Sequence, residues 1–241
     1  MRRHLSSGLT FLCAVAAQAA SIPQQPGDRI APDFRQPTKG ARLLVMPVQV
    51  ADASFGKGQQ LIEQELFARL EKLGYRPVAL KGSKFEGYWP EVMRQVEATA
   101  DPRDRNNKAV GYARAVGTMA KIVANDPDYA MLLSPVIVDR VVQIDSDMTS
   151  WDGVRRSPPL AIKDGIKTWV RTSHGTGLAL SLQVTGFGEG GRFAFATYGG
   201  LTLPGQPNLD TRTITTRPDL FEDKDEIEEG VRVALRPLEA R

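Results

Sequence analysis

Cysteine is all but missing from this chain: Cys13 is the only one in 241 residues. A lone cysteine forms no intrachain disulfide, and no cysteine-based metal site can be assembled from it. Histidine is nearly as scarce, with His4 and His174 alone. One imidazole without thiolates makes a zinc site only if carboxylates complete the ligand set. Aromatic residues amount to 7% of the chain, and its one N-terminal apolar run, Leu9 to Ala17, falls well short of the roughly 20 residues that cross a bilayer as a helix. Beyond the first residues there is no run of three or more Lys or Arg. A nucleic-acid footprint needs a clustered basic face, so no nucleic acid is expected as a partner.

The N-terminus carries a different pattern. Arg2, Arg3 and His4 precede the short apolar run, and Ala17-Gln18-Ala19 has the small-x-small form of a cleavage site. Residues 1–20 therefore read as a secretory signal peptide cleaved after Ala19 or Ala20, and the expected compartment is the periplasm. Thr10-Phe11-Leu12 before Cys13 does not match a lipidation signal. The formal net charge of +3 includes Arg2 and Arg3; without them 29 basic residues face 28 acidic ones, or +1. Residues 21–40, with Pro23, Pro26, Pro32 and Pro37, show no apolar period and read as a flexible Pro-rich arm. Residues 41–241 read as a single domain, long enough for a sizeable core.

Within it, Tyr129 to Ile144 (YAMLLSPVIVDRVVQI) reads as the organising strand. Tyr129 to Leu133 is continuous apolar sequence, as in a strand covered on both faces. Further on, Val136, Val138, Val142 and Ile144 share one face, Asp139 and Gln143 the other, and Arg140 interrupts the apolar side. Pro135 lacks a ladder donor and marks an edge, a bulge or a change of pairing partner. Arg42 to Val50 reads as a first strand that ends near Pro47, Gln59 to Leu73 as a helix stopped by Gly74, and Tyr75 to Leu80 as a strand. Tyr88 to Ala98 and Lys108 to Ala124 carry helical stripes. Leu178 to Phe187 and Arg192 to Leu203 alternate as a hairpin, with Leu178, Leu180, Leu182 and Val184 expected inward, Ser181, Gln183 and Thr185 expected outward, and a bulge or a close backbone approach expected at Gly199-Gly200. Asp145 to Gly165 and Pro204 to Arg217 read as polar connections, and a last acidic helix is expected to begin near Asp219 with Glu222 at capping-box spacing. The fold class is α/β (α+β): one mixed sheet with packed helices in the order β-α-β-α-α-β-β-β-α.

Motifs with chemistry are weak. Gly56-Lys57-Gly58 precedes a helix but lacks the spacing of a phosphate loop, and Gly188 to Gly191 joins two strands and opens no helix. Asp101, Asp104, Asp126 and Asp128 do not form a calcium loop. Ser173 and His174 are adjacent, whereas the partners of a nucleophilic pair normally converge from separate segments. No cofactor and no metal site is expected. The candidate binding residues are Trp151, Asp152, Arg155 and Arg156. Trp151 in its long polar loop either folds back as a lid on the sheet or stands exposed as a contact anchor within a polar rim.

The residues RLLVMPVQV, Leu61 to Val78, YAMLLSPVIVDR, LALSLQVTGF and the acidic terminal helix carry a resemblance of pattern. Over about Ala41 to Leu235 the chain resembles the periplasmic α/β domain of the TolB N-terminal domain, the curli-export lipoprotein and the lipoprotein activator of penicillin-binding proteins. It departs from those lipoproteins in lacking a lipidation signal and in its enlarged helical middle and long Trp151 loop. The resemblance implies binding and envelope assembly without catalysis. The leading expectation is thus an exported, non-catalytic binding or assembly protein of the bacterial cell envelope. Its expected partner is another envelope protein, with self-association left open and no transmembrane helix. The alternative is a periplasmic hydrolase using carboxylates with His174.

Overall fold

The computed structural model describes residues 27–50, 55–98, 107–144, 148–168 and 175–239. The signal-like segment, Cys13, Ser173 and His174 lie outside them.

From Gly27 the described chain meets a sheet edge with β1 (Arg29–Ile30) and enters the core with β2 (Arg42–Val45) and β3 (Gln49–Val50). Helix α1 (Gly56–Lys72) leads to β4 (Arg76–Ala79), and α2 (Tyr88–Ala98) and α3 (Asn107–Ala124) follow as a pair. The long β5 (Tyr129–Ile144) comes next. Four short strands succeed it: β6 (Thr149–Trp151), β7 (Val154–Arg156), β8 (Ala161–Lys163) and β9 (Ile166–Thr168). The hairpin strands β10 (Gly175–Phe187) and β11 (Phe193–Thr202), the small pair β12 (Gly205–Asn208) and β13 (Thr213–Thr216), and α4 (Lys224–Ala234) complete the order.

The main sheet has seven strands in the order β1-β11-β10-β5-β2-β4, with β3 also on β5. It is mixed: β2 runs parallel to β4 and β5, and β10 runs antiparallel to β5 and β11. The architecture is α/β, as the alternating patterns require. Adjacent residues of β2 serve opposite layers. Leu43 and Val45 pack with Ile62, Leu66 and Leu70 of α1 and Ile227 and Val231 of α4, whereas Leu44 and Met46 pack with Val92 and Val96 of α2 and Val116, Met119 and Val123 of α3. Because successive strand side chains alternate, a strand between two helical layers must be apolar at every position. Among the described residues no helix is long and apolar enough to cross a membrane.

Pro135 marks a change of partner. Upstream of it β5 pairs with β2 as far as Leu133, and from Val136 onward it pairs with β3, while β10 runs past without interruption. The expected first strand is divided at Pro47 for the same reason: proline offers no N–H to the ladder.

Four expectations are corrected. The arm is not free from Gly27 onward. β1 pairs with Phe195 and Ala196 on β11, Phe34 meets Phe195 edge-on at 5.4 Å, and buried Asp28 accepts the Tyr198 N–H at 3.2 Å and pairs with Arg236. Two apolar side chains and one satisfied carboxylate are enough to dock a segment without helical or strand period. The polar connection 145–165 contains the β6–β7 hairpin and β8, which pairs with β9 just beyond it, and the expected loop 204–217 is the hairpin β12–β13. β12 and β8 join these into a second sheet of order β13-β12-β8-β9. Helix α4 begins at Lys224, not near Asp219: Asp223 is the N-cap, accepting from the Asp225 and Glu226 N–H groups at 3.0 and 3.3 Å. The preceding turn, with φ 67° at Phe221, sends Leu220 and Phe221 into the core, while Asp219 accepts from Arg217 and Lys167. Finally, Ser181 on β10 is fully buried rather than outward, and Leu178 is exposed.

Of the two features expected at Gly199-Gly200, the close backbone approach falls on the glycines themselves and the bulge on the next residue, Leu201. The register between β10 and β11 shifts between Leu180/Thr202 and Ser181/Gly200. The glycines have a packing reason. A Cβ on Gly199 would overlap the Gly230 carbonyl of α4 and come within 2.8 Å of the Ala234 nitrogen. A Cβ on Gly200 would meet the Trp151 indole Nε1 at 2.8 Å and Val154. Gly199→Ala is therefore expected to lift α4 off the sheet and destabilise the protein by about 3 kcal/mol or more, the upper end of overpacking effects. Urea denaturation of the variant beside Gly87→Ala, at an exposed glycine with open space around it and no left-handed backbone, separates this steric effect from a general glycine effect.

Candidate functional site

The hairpin β6–β7 carries all four candidate residues. Its turn is Asp152-Gly153, with φ 40° at Asp152 and 80° at Gly153, the left-handed pair that a tight two-residue hairpin demands. The side chains divide by face. Trp151 is 8% exposed and packs with Val142, Val154, Ala179, Leu203 and Val233. Asp152 and Arg156 are also buried, and Arg155 alone points to solvent. The structure therefore holds the lid arrangement, not an exposed aromatic inside a polar rim. The cause is the sheet surface beneath: Gly200 leaves a hollow, and Ser181 offers a hydroxyl that the indole can reach.

That contact belongs to a closed polar chain. Trp151 Nε1 donates to Ser181 Oγ at 3.1 Å, and Ser181 Oγ donates to Asp152 Oδ2 at 2.7 Å. Arg140 grips the same carboxylate with Nε and Nη2, both at 2.7 Å, while its guanidinium lies over the Tyr198 ring, 4.5 Å from the centroid. A bidentate Arg–carboxylate pair fixes orientation as well as charge. The indole has one donor and it is used, and the carboxylate is held by two residues. A Ser beside an Asp would suggest nucleophilic chemistry, but Ser181 Oγ is fully buried beneath the indole and spends its proton on the carboxylate. The arrangement fastens β6–β7 to β5, β10 and β11.

Arg156 fastens the other arm of the hairpin across the sheet edge to α4. Its Nε donates to the Leu201 carbonyl at 3.3 Å and its Nη2 to the Glu226 carbonyl at 3.2 Å, and its guanidinium pairs with Glu229 and, at 3.5 Å, with Glu226. Burial pushes the Glu226 carboxyl above its ordinary value of 4.5, against the opposing effects of a hydrogen bond with Thr202 and the charge of Arg156. Desolvation thus outweighs pairing at this position.

Elsewhere, a cleft of about 330 Å³ opens between the end of α3, the start of β5 and the β10–β11 turn, lined in part by Val123, Asp126, Tyr129, Phe187 and Glu189. Its inner carboxylate, Asp126, is engaged by Lys84, which together with the Asp128 N–H lowers its pKa. Among the described residues no group of three or more His, Cys, Asp or Glu could hold a metal ion. The residues that sequence reasoning missed are Ser181, Tyr198 and the exposed pair Val141 and Leu178. Arg140 was visible as a break in an apolar face, and a buried counter-charge is what such a break calls for. Val141 and Leu178 are direct cross-strand partners near the far end of the β5–β10 ladder, 80% and 46% exposed.

No known protein family matches the chain, and no curated protein matches it. Among solved structures it is similar to the PelC dodecamer from Paraburkholderia phytofirmans, in a variant with one leucine-to-methionine substitution. The identity is 10% and the TM-score 0.40, over 89% of this chain and 98% of that one.

Two outcomes test the geometry. Trp151→Ala removes a buried indole and leaves Ser181 without its donor, so it should cost about 3 kcal/mol and lower Tm by roughly 6–12 °C; a thermal melt within about 2 °C of the wild type would contradict the lid. The second concerns pH. A carboxyl whose folded pKa is raised stabilises the fold only while protonated, and that contribution is lost as pH rises through the folded value. Glu226→Gln keeps an acceptor and removes the charge. Its melting temperature should match the wild type below the unfolded pKa of about 4.3, exceed it as pH rises through the higher folded value, and level off above that.

Proposed function

We propose that this chain is an exported, non-catalytic binding and assembly protein of the bacterial cell envelope. Export is supported by the basic start, the short apolar run and Ala17-Gln18-Ala19. Binding is supported by one observation above the others: Val141 and Leu178 face each other across the two longest strands and stand in solvent. They lie on the face that, closer to the centre of the sheet, is covered by α1 and α4 through Ile137, Leu180 and Leu182. Asp139, exposed on the same face, separates the pair from the buried Ile137, so the fold makes no internal use of these two aliphatic side chains. Contiguous apolar exposure is the surface signature of protein contact. Ile166 and Leu209 add exposed aliphatic surface on the small sheet, whose β12 adjoins β10.

The partner chemistry this favours is an apolar patch on another envelope protein. The family resemblance in the pattern of elements points to the same class of work. Affinity capture from envelope extract of the native host, with wild-type chain as bait, should recover a stoichiometric protein. Leu178→Asp should reduce that recovery about tenfold or more, as expected for a charge buried in an apolar contact, while the melt stays within about 1 kcal/mol of wild type because the residue is exposed. His174→Ala should leave capture unchanged; loss of a hydrolytic activity in that variant would favour an enzyme instead.

A further inference from the structure

The edges of the two sheets are treated differently. On the main sheet the outer edge of β11 is sealed position by position: by β1 at Phe195 and Ala196, by Asp28 on the Tyr198 N–H, by Arg236 Nη1 on the Tyr198 carbonyl at 2.9 Å, by the Asp152 carbonyl on the Gly200 N–H at 3.2 Å, and by Arg156 on the Leu201 carbonyl. The opposite edge strand, β4, carries Arg76 and Pro77. On the small sheet, β9 has Lys167 at its centre, tied to Asp219. Charge and proline are the ordinary defences of an edge. β13 has none of them: Thr213, Ile214, Thr215 and Thr216 are uncharged, unbulged and all exposed, with Ile214 at 76%.

The register states which of its backbone groups are free. Arg217 N–H donates to the Pro204 carbonyl at 2.9 Å, and alternate positions, Thr215 with Gln206 and Thr213 with Asn208, share that inward orientation. Ile214 stands opposite Pro207, which has no N–H to give. The N–H and carbonyl groups of Ile214 and Thr216 therefore point away from β12, and no described residue accepts from or donates to them.

We propose that the outer edge of β13 pairs antiparallel with the same strand of a second copy of this chain, about a two-fold axis at Thr215. In that register Ile214 of one copy exchanges both backbone bonds with Thr216 of the other, twice over, and Thr215 faces its counterpart. The strand is compatible with its own copy in this register: each Arg217 falls opposite Thr213 of the other copy, so no like charges oppose each other. The alternative axis at Ile214 would draw Arg212 into the ladder, and its φ of 54° does not permit an extended strand. The result is an isologous contact that continues two four-stranded sheets as one. It goes beyond the envelope-binding reading and uses a different surface from Val141 and Leu178.

Sedimentation equilibrium of the full chain over about 1–100 µM tests it. The wild type should self-associate to a dimer. Ile214→Pro deletes an outward donor without touching the inward ladder, so the dissociation constant should rise about tenfold or more. Thr215→Lys and Thr215→Glu each set like charges face to face on the axis and should each be monomeric, while an equimolar mixture of the two should regain the dimer mass. The charge pair decides the matter should Ile214→Pro fail to fold. A wild type that stays monomeric over the range, or a mixture that does not re-associate, overturns the proposal.

Discussion

The closest constraint in the molecule is a meeting of backbones. Gly199 and Gly200 of β11 lie one residue apart, and each is pressed from the opposite side, Gly199 by the Gly230 turn of α4 and Gly200 by Trp151 and Val154. On Gly230 a Cβ would in turn strike the Gly200 carbonyl at 2.6 Å. No side chain fits at any of the three positions. The arrangement places α4 low enough on the sheet for Ile227, Val231, Ala234 and Leu235 to be buried completely or nearly so. It also brings the N-terminal half of α4 within reach of Arg156. The glycines cost the folded chain conformational entropy, and what offsets that cost is the depth of apolar burial on both sides of one strand.

Much else follows from that approach. The hollow over Gly200 accepts an indole, and the indole needs a hydrogen-bond acceptor once buried. Ser181 supplies it, Ser181 needs an acceptor in turn, and Asp152 needs a cation. Arg140, which interrupts an otherwise apolar stripe on β5, is the end of that requirement. A buried network of this kind is stabilising only when complete, because removing any one member strands the others. This one is closed at each step from Trp151 to Arg140. The hairpin consequently behaves as a fixed part of the sheet and gives the projecting ends of β5 and β10 a rigid support.

The long periodic segments were legible in the sequence: β5 and α2 begin and end where their patterns do, and α1 and α3 differ by a few residues. The short strands β6 to β9 and β12 to β13 were not. Each has three or four residues, too few for alternation to rise above a polar, turn-rich background, and they pair through contacts that sequence spacing does not reveal. The candidate site was half legible. Trp151 stood out as an aromatic in a polar loop, but its fate depended on Gly200 and Ser181, about fifty and thirty residues downstream. Ser181 read as outward because strand alternation is blind to a hairpin folded over the outer face. Asp28 and Phe34 were hidden by the same limit: a docked segment of a few residues has no period to read.

The geometry also bounds what the exposed surface can do. Stable protein interfaces bury about 1,200–2,000 Å² in total, far more than Val141 and Leu178 can supply between them. They can serve as a central anchor only if neighbouring surface joins them, and the small sheet beside β10 is the available extension. Rigidity bears on the proposed binding. Val141 and Leu178 sit in a ladder whose register is continuous from Leu132 to Ile144, so their backbone is ordered before any partner arrives. Binding to such a surface loses less conformational entropy than binding to a loop, where ordering costs roughly 0.5–1.5 kcal/mol for each immobilised flexible side chain. A modest apolar patch on a preformed strand pair can therefore hold a partner that the same residues on a free loop could not.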